Sequence, residues 1–325
     1  LHVIDEFNRA TTQLEQSHQE RQKIIRETED LESVNAQLNE TQADIILNLG
    51  KSNQSTTTTE TFKTSDVKIV TAANNAYFTG LKEFVASVHF WDPNTTIIVY
   101  DLGLQPQQKK EAESWCNVQV NPLPESIPDH IRNESRKRYT WKPLILQDAV
   151  TKYGAIFYSD AGSVIRGPLE PIKKLIIADG HFFVQGQDMD MTKLLHEGMC
   201  RYFKVNKKML KGKYSFAGNT QGYVRGGLAE KHILHPLVKC AISPECITPP
   251  GSSLKNHRFD QSALSVIIYM SSIVVQPHTE FLAASSNQLN SNPFLPSSKL
   301  VWTSRQRSRS YSKGICVNPI QSSLH

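Results

Sequence analysis

The chain has 325 residues, of which 39% are hydrophobic and 21% charged, and its formal net charge is +5. This length can bury a full hydrophobic core and suits one large domain or two modest ones. The basic runs lack interleaved aromatic residues, and no Gly-rich phosphate loop of the GxxxxGK or GxGxxG type is present, which argues against nucleic-acid-binding proteins, kinases and dinucleotide enzymes. No stretch approaches the roughly 18 consecutive apolar residues of a membrane span. Because the chain starts at Leu1 rather than Met, we expect its native N-terminus to have been removed, so that an anchor can precede it.

Residues 1–49 are polar but carry an apolar seven-residue repeat. It occupies Val3, Ala10, Ser17, Ile24, Leu31, Leu38 and Ile45. The repeat predicts a coiled-coil stem that pairs two copies of the chain as a homodimer, and a single solvated helix remains the alternative. Residues 50–66 are rich in Ser and Thr without an apolar period, which predicts a linker.

Residues 67–325 show the pattern of an α/β domain. "VKIVTAAN" and "TTIIVYDLG" are β-branched strand patterns, and residues 77–91 between them follow helical spacing, which predicts a βαβ unit and a parallel sheet. The amphipathic segment 140–154 leads into a further strand, "AIFYSDAG". We also predict strands at "GHFFVQGQ" and "SSIVVQPH" and a helix at "DQSALSVIIYM".

The ends of these strands carry polar residues. In open α/β sheets a ligand lies at the carboxyl ends of the strands, near the point where the strand order reverses. The candidate positions are therefore residues 71–75, Asp101, residues 160–163 and His278.

Five segments in a consistent order resemble a known enzyme group. They are "VTAANNAYFTGL", "IIVYDLGL", "YTWKPLILQDAVTKYGAIFYSDAGSVI", "FAGNTQGYVR" and "NHRFDQSALSVII". Over residues 67–281 they are similar to the nucleotide-sugar glycosyltransferases of GT-A fold, and within these to family 8 and its uncharacterised relatives. The resemblance implies a Rossmann-like, mostly parallel sheet flanked by helices. It also implies a nucleotide-sugar donor, for which we expect a UDP-sugar, and a glycan or glycoprotein acceptor.

The resemblance also implies a divalent metal, Mn²⁺ or Mg²⁺, held by an Asp-x-Asp at a strand end. This chain has Asp160-Ala161-Gly162 there, so the second aspartate is missing. His278 is a tentative second ligand, and the literal Asp-x-Asp of Asp188 and Asp190 competes with Asp160 for the metal. Alternatively, basic side chains neutralise the donor diphosphate without metal. The candidates for that role are Arg136, Lys137, Arg138, Lys142, Arg305, Arg307, Arg309 and Lys313.

Further roles follow from the resemblance. Donor binding is assigned to Thr71, Ala72, Asn74, Asp101, Arg138, Lys142, Asp160, Gly162, Ser163, Gly218, Asn219 and Gln221. Catalysis is assigned to Asp160, Asp260 and Gln261. Asp260 is the general base if the reaction inverts configuration, whereas Asp260 or Gln261 contacts the sugar if it retains configuration. A helix cap at Asp260 and a turn at Asp101 are the structural alternatives.

Cysteines and glycosylation motifs favour the secretory pathway. Cys240 and Cys246 bracket a turn-like segment and could form a disulfide, while five cysteines leave at least one thiol unpaired within the chain. Asn-x-Ser/Thr motifs occur at Asn39, Asn53, Asn94 and Asn133. We expect a type II membrane protein of the Golgi or ER lumen, or a secreted form.

Two other functions compete with a glycosyltransferase. The missing second aspartate favours an inactive glycosyltransferase-like binding or scaffold protein, oligomerised by its coiled coil. A nucleotidyltransferase is a weaker alternative, because it needs a second carboxylate near Asp160 that the sequence does not identify. His232 and His235, three residues apart, are a weak zinc candidate.

Overall fold

The computed structural model describes residues 61–132, 138–284, 299–305 and 310–318. Several predictions lie outside these ranges: the coiled coil of residues 1–49, most of the linker, and a set of single residues. That set is Asn39, Asn53, Asn133, Arg136, Lys137, Arg307 and Arg309. Within the described ranges, no helix combines the length and the apolar character needed to cross a membrane.

The described residues form two sheets and nine α-helices. The strands are β1 Lys68–Ala73, β2 Ile97–Asp101, β3 Val118–Asn121, β4 Ala155–Ser159, β5 Val164–Ile165, β6 His181–Gln185, β7 Phe216–Val224, β8 Leu282–Ala283 and β9 Val301–Trp302. The helices are α1 Phe78–Trp91, α2 Pro106–Glu113, α3 Asp129–Arg132, α4 Trp141–Tyr153, α5 Glu170–Asp179, α6 Glu197–Tyr202, α7 His235–Ile242, α8 Pro244–Ile247 and α9 Asp260–Met270. A π-helical turn, Glu230–Leu234, runs into α7.

The central sheet has the strand order β3-β2-β1-β4-β7-β6. β1 pairs in parallel with both β2 and β4, whereas β7 runs antiparallel to its neighbours β4 and β6. This confirms an α/β domain with a mostly parallel sheet. The strand order reverses between β1 and β4, so the carboxyl ends of these two strands flank the crevice in which such sheets bind ligands.

Helices cover both faces of this sheet. On one face, Leu81, Phe84 and Val88 of α1 are fully buried against Ile69 and Phe157, and α5 joins the same core. α7 packs on both α4 and α9, and α4 and α9 also contact β4 and β7, respectively. Because side chains alternate along a strand, β4 directs Phe157 to the first face and Tyr158 to the other.

Two predictions about strands were wrong or incomplete. "SSIVVQPH" is not a strand: Val274 is 92% exposed, and the segment meets β6 only through an isolated bridge between Phe183 and Pro277. Proline has no N–H to extend that pairing. The glycine-containing segment "GNTQG", which also suits a tight turn, lies inside β7.

The folded domain starts before the predicted boundary at residue 67. Phe62 packs against the core, with its ring over Gly154 at the end of α4. Gly154 has a φ of 82°, and a Cβ there would lie 2.2 Å from the Phe62 ring. Glycine is therefore required both for the backbone turn and for the ring.

Two disulfides are present among the described residues. Cys240 pairs with Cys246, as predicted, and Cys116 pairs with Cys316 across a sequence separation of 200. Cys200 is a buried free thiol.

Candidate functional site

Asp160 lies directly after β4, at the carboxyl end of the sheet. Its backbone N–H donates to Asn219 O at 3.0 Å, and its own carbonyl accepts from Ser163 N at 2.9 Å. Tyr158 Oη donates to Asp160 Oδ1 at 2.6 Å, because residues two apart on a strand share a face. Asp160 is thus directed to the face that carries α4 and α9.

Lys142, in the first turn of α4, joins Asp160 to Asp260 at the start of α9. Lys142 Nζ lies 3.1 Å from Asp160 Oδ1 and 3.0 Å from Asp260 Oδ2. It also donates to the carbonyl oxygen of Gly218 in β7 at 3.1 Å. An ammonium group has three N–H bonds, and three protein oxygens lie within 3.1 Å of the Lys142 nitrogen. We call Lys142, Asp160 and Asp260 the charged triad.

The triad is buried on one side and open on the other. The side chains of Lys142 and Asp260 are 3% and 7% exposed, whereas that of Asp160 is 33% exposed. Asp160 Oδ2 has no hydrogen-bond partner among the described residues. The triad therefore presents one carboxylate oxygen to the crevice.

Burial and charge act against each other on these groups. Burial raises the pKa of Asp260, and the Lys142 ammonium reverses only part of that rise. Burial opposes the charge of Lys142, but Asp160 and Asp260 outweigh it, and its pKa is raised. The rings of Tyr139 and Tyr158 lie 5.0 and 5.5 Å from Lys142 Nζ, which favours the cation further.

The backbone is strained beside the triad. Tyr139 has a φ of 58° and Phe259 a φ of 45°, values that residues other than glycine rarely adopt. Tyr139 lies next to the start of α4, and Phe259 immediately precedes Asp260. Such strain persists only where the surrounding structure enforces it, and it clusters at functional sites.

Gly218 allows Asp260 to approach β7. A Cβ on Gly218 would lie 2.9 Å from Asp260 Oδ2 and 3.3 Å from Gln261 Cβ. Gln221 also contacts this position, because its Nε2 donates to Gly218 O at 2.9 Å. A larger residue at 218 would displace the carboxylate from Lys142.

A second polar cluster lies beside the triad, after β6. Gln261 Nε2 donates to Ser215 Oγ at 2.9 Å and lies 3.4 Å from Asp188 Oδ2. Arg258 Nε is 3.9 Å from the same Asp188 oxygen. A Cβ on Gly186 would lie 2.6 Å from Ser215 Oγ, so glycine is required for this contact. The cluster fixes the side-chain amide of Gln261 next to Asp260.

Residues 303–305 of the C-terminal segment lie at the same edge of the sheet as the triad. Asn219 Nδ2 donates to Thr303 Oγ1 at 2.8 Å. Gly162 O accepts from Arg305 N at 2.8 Å and from Ser304 Oγ at 3.2 Å. These contacts place residues 303–305 against the turn that follows Asp160.

The residues predicted to contact the nucleotide lie around β1 and β2. Thr71 is fully buried and Ala72 is 6% exposed, so neither offers a side chain to the crevice surface. Asn74 Oδ1 accepts from Tyr77 N, and Asp101 Oδ1 accepts from Gly103 N and Leu104 N. Both side chains stabilise turns, which for Asp101 was the structural alternative.

Three more predicted residues lie around α4 and α9 or after β4: Asp260, Ser163 and Arg138. Asp260 is the first residue of α9, and its carboxylate faces Lys142. Ser163 is 1% exposed, and Arg138 is exposed ahead of α4. The structure brings together Lys142, Asp160, Gly162, Gly218, Asn219, Gln221, Asp260 and Gln261.

The donor set at Asp160 does not fit a protein-held divalent cation. The described residues contain no group of three His, Cys, Asp or Glu side chains that could hold a metal ion. The carboxylate oxygens closest to Lys142, one each from Asp160 and Asp260, already face its ammonium. His278 pairs with Glu280 at 3.1 Å and stacks on Phe182, whereas Asp190 caps its own turn by accepting from Thr192 N. No contact described for His278 joins it to Asp160.

Sequence reasoning missed several members of the site. Thr303, Arg258 and Ser215 carry no local signal, because their contacts in the site are with residues far away in the sequence. Tyr139 and Tyr158 could be suspected only from their proximity to Lys142 and Asp160 in the chain.

Comparisons with known proteins give distant likenesses. A family model described as a protein of unknown function (DUF1647) matches residues 12–147, which is less than half of the chain. No curated protein matches the chain.

Solved structures of three transferases are similar. The apo bifunctional glycosyltransferase WbbM has a TM-score of 0.44 and 12% identity, with 66% of this chain and 38% of that chain covered. The galactosyltransferase LgtC in complex with donor and acceptor sugar analogues has a TM-score of 0.36 and 19% identity, covering 49% of this chain and 58% of that one. Core-mannan synthase A from Aspergillus fumigatus, in its Mn/GDP form, has a TM-score of 0.41 and 10% identity, covering 67% and 73%. The chain spans less than two thirds of the first two proteins, and at these TM-scores the likenesses establish neither its fold nor its activity.

Proposed function

We propose that this chain is a glycosyltransferase that takes a sugar from a nucleotide-sugar donor. The observation that carries the proposal is the charged triad at the strand-order reversal. A carboxylate with one open oxygen, held by a buried lysine, is suited to accept hydrogen bonds from sugar hydroxyls at a fixed position. The five sequence segments that resemble GT-A glycosyltransferases contribute both aspartates and the lysine, which supports the same activity.

The triad members have different roles in this proposal. Asp160 is the exposed carboxylate, so its Oδ2 contacts the donor sugar. Lys142 holds Asp160 in place through their ion pair, and Asp260 holds Lys142 from the opposite side. Gln261 lies next to them with its amide nitrogen bound to Ser215, which leaves its amide oxygen for a sugar hydroxyl.

Because Asp160 and Asp260 each direct a carboxylate oxygen at Lys142, no step of the proposed mechanism uses a divalent metal. The leaving diphosphate still requires a fixed positive charge beside it, because negative charge accumulates on the diphosphate as the glycosidic bond breaks. We therefore place Mn²⁺ or Mg²⁺ outside the proposed mechanism and include metal dependence in its test.

Each finer part of the proposal has its own source. A UDP-sugar donor and a glycan or glycoprotein acceptor follow from the sequence resemblance alone, as does homodimerisation from the heptad repeat. Two disulfides and the exposed Asn94 support a secretory-pathway location, because disulfides form and persist in oxidising compartments.

Nucleotide release tests the proposal. The full chain is incubated with UDP-, GDP- and CMP-sugars, with EDTA or with Mn²⁺, and the free nucleotide is quantified with and without a mixed glycan acceptor. We expect release from one nucleotide class, and about a 100-fold loss in Asp160→Asn, which preserves shape but removes the charge. The matched control is Asp179→Asn, an exposed aspartate at the end of α5. Absence of release with every donor, or equal release from Asp160→Asn, would contradict the proposal and favour the inactive scaffold.

A further inference from the structure

The charged triad cannot neutralise a diphosphate. Its two carboxylates and one ammonium sum to a net charge of −1, and the three N–H bonds of Lys142 already face protein oxygens. A nucleoside diphosphate brings at least two further negative charges. If the proposed donor binds here, a second cation has to lie near the turn of Asp160.

Arg258 and Arg305 are two basic residues whose contacts place them at this edge of the sheet. Arg258 is 3.9 Å from Asp188, so its charge is partly balanced. Arg305 adjoins Gly162, two residues after Asp160, through its backbone N–H. Its side chain is exposed, and in the part of the chain that the structure describes its guanidinium makes no ion pair.

The position of Arg305 is built by long-range contacts. β9 pairs antiparallel with β5, with Trp302 opposite Val164. The three residues after β9 then bind the site: Thr303 to Asn219, and Ser304 and Arg305 to Gly162. Gly162 has no Cβ, and one placed there would meet the Arg305 backbone at 3.6 Å.

The backbone of Arg305 is strained. Its φ is 50°, in the left-handed region that favours glycine. An arginine in this conformation is unfavourable for folding, and residues that keep such strain cluster at ligand-binding positions. Of the five described non-glycine residues with positive φ, Tyr139 and Phe259 border the triad and Arg305 adjoins the turn after Asp160, whereas Asn117 and Lys204 do not belong to the site.

We propose that Arg305 binds the diphosphate of the donor and is the cation that faces the leaving group. The inference rests on the proposed function, since it needs a nucleotide in the crevice. The planar guanidinium presents two parallel N–H bonds to phosphate oxygens, and this charge-assisted pairing is geometrically specific.

Calorimetric titration of the full chain in EDTA tests this role. The probes are UDP and GDP, which carry the diphosphate, and uridine and guanosine, which lack it. The test variant is Arg305→Gly, because glycine suits the left-handed backbone and is expected to fold at least as well as the wild type. Arg305→Lys keeps the positive charge but lacks the planar guanidinium with its two parallel N–H bonds. Lys174→Ala is the control, an exposed cation of α5, which packs on the other face of the sheet.

The expected result separates phosphate from base recognition. Arg305→Gly should weaken binding of the nucleoside diphosphate about 10- to 100-fold and leave nucleoside binding unchanged, with Arg305→Lys in between. Lys174→Ala should bind like the wild type. If the wild type binds a diphosphate and Arg305→Gly binds it equally well, the role of Arg305 is overturned while the proposed function stands. If the wild type binds no nucleotide in EDTA, the role of Arg305 is overturned, and nucleotide release with Mn²⁺ decides the proposed function.

Discussion

Lys142 is the residue on which the candidate site depends. A buried charge is stable only when it is paired, because removing it from water costs several kcal/mol. Here one lysine balances two carboxylates from two different elements, β4 and α9. The sequence predicted all three residues as site members, but not their contact, since nothing local links α4 to α9.

Replacing Lys142 tests this balance. Lys142→Met leaves Asp160 and Asp260 facing each other without a cation, and we expect it to lower the free energy of unfolding by about 3–5 kcal/mol. Adding Asp260→Asn should restore part of the loss, because the buried oxygen then carries no charge. Urea denaturation measures both variants.

The control for this prediction is Lys152→Met. Lys152 also pairs with an aspartate, Asp148, at 2.9 Å, but its side chain is 46% exposed. Such a pair contributes less than about 1 kcal/mol. Equal losses in the two lysine variants would contradict the central position of Lys142.

At the scale of elements, sequence patterns identified part of the helices, α1, α4 and α9, and part of the strands, β1, β2, β4 and β6. α1, α4 and α9 have continuous apolar periods and were predicted within one or two residues. β3 was missed because it is short and half exposed, and β7 because Gly218 and Gly222 resemble a turn. Gly218 leaves room for Asp260, and Gly222 leaves room for Ile176 of α5. No local sequence pattern encodes these contacts.

The loop that leads into α9 carries a buried histidine. His257 is fully buried, its Nδ1 accepts from His196 N at 3.2 Å, and burial lowers its pKa to about 4. In the unfolded chain the same group titrates near its usual pKa of about 6.5. The unfolded state therefore binds an extra proton between these two values, and stability falls as the pH falls through that window.

This linkage predicts an acid-sensitive fold. Between pH 7 and pH 5, His257 should contribute roughly 2 kcal/mol to the loss of unfolding free energy. His257→Asn keeps an acceptor but does not titrate, so its stability should depend less on pH by that amount. Urea denaturation at both pH values measures the difference, with the exposed His232→Asn as control. An unchanged pH dependence in His257→Asn would show that another group is responsible.

At the scale of the whole molecule, the C-terminal segment contacts the candidate site, α1 and the residues ahead of β3. Its residues 303–305 bind the candidate site, and Cys316 bonds to Cys116 ahead of β3. Between these anchors, buried Glu83 of α1 accepts hydrogen bonds from the backbone N–H groups of Ser310, Tyr311 and Ser312. Sequence spacing predicted the local disulfide but not this one, because only the folded topology brings Cys116 and Cys316 together.

The two disulfides should differ in their contribution to stability. In the chain-entropy model, closing a loop of 200 residues contributes about 5 kcal/mol, and the loop of 6 between Cys240 and Cys246 about 2 kcal/mol. We expect the Cys116→Ser/Cys316→Ser variant to lose correspondingly more unfolding free energy than Cys240→Ser/Cys246→Ser. Urea denaturation of both double variants measures the difference, and a larger loss in the second would refute this ranking.

The central claim is that a nucleotide sugar binds where the triad meets the reversal in strand order. The most direct measurement is the melting temperature of the full chain with UDP-, GDP- and CMP-sugars, since a ligand that binds only the folded state stabilises it by about 2.7 kcal/mol at 100 times its Kd. We expect one nucleotide class to raise the melting temperature of the wild type and of Asp179→Asn, and to raise that of Asp160→Asn much less. A shift of equal size in Asp160→Asn, or none with any nucleotide sugar, would contradict this binding site.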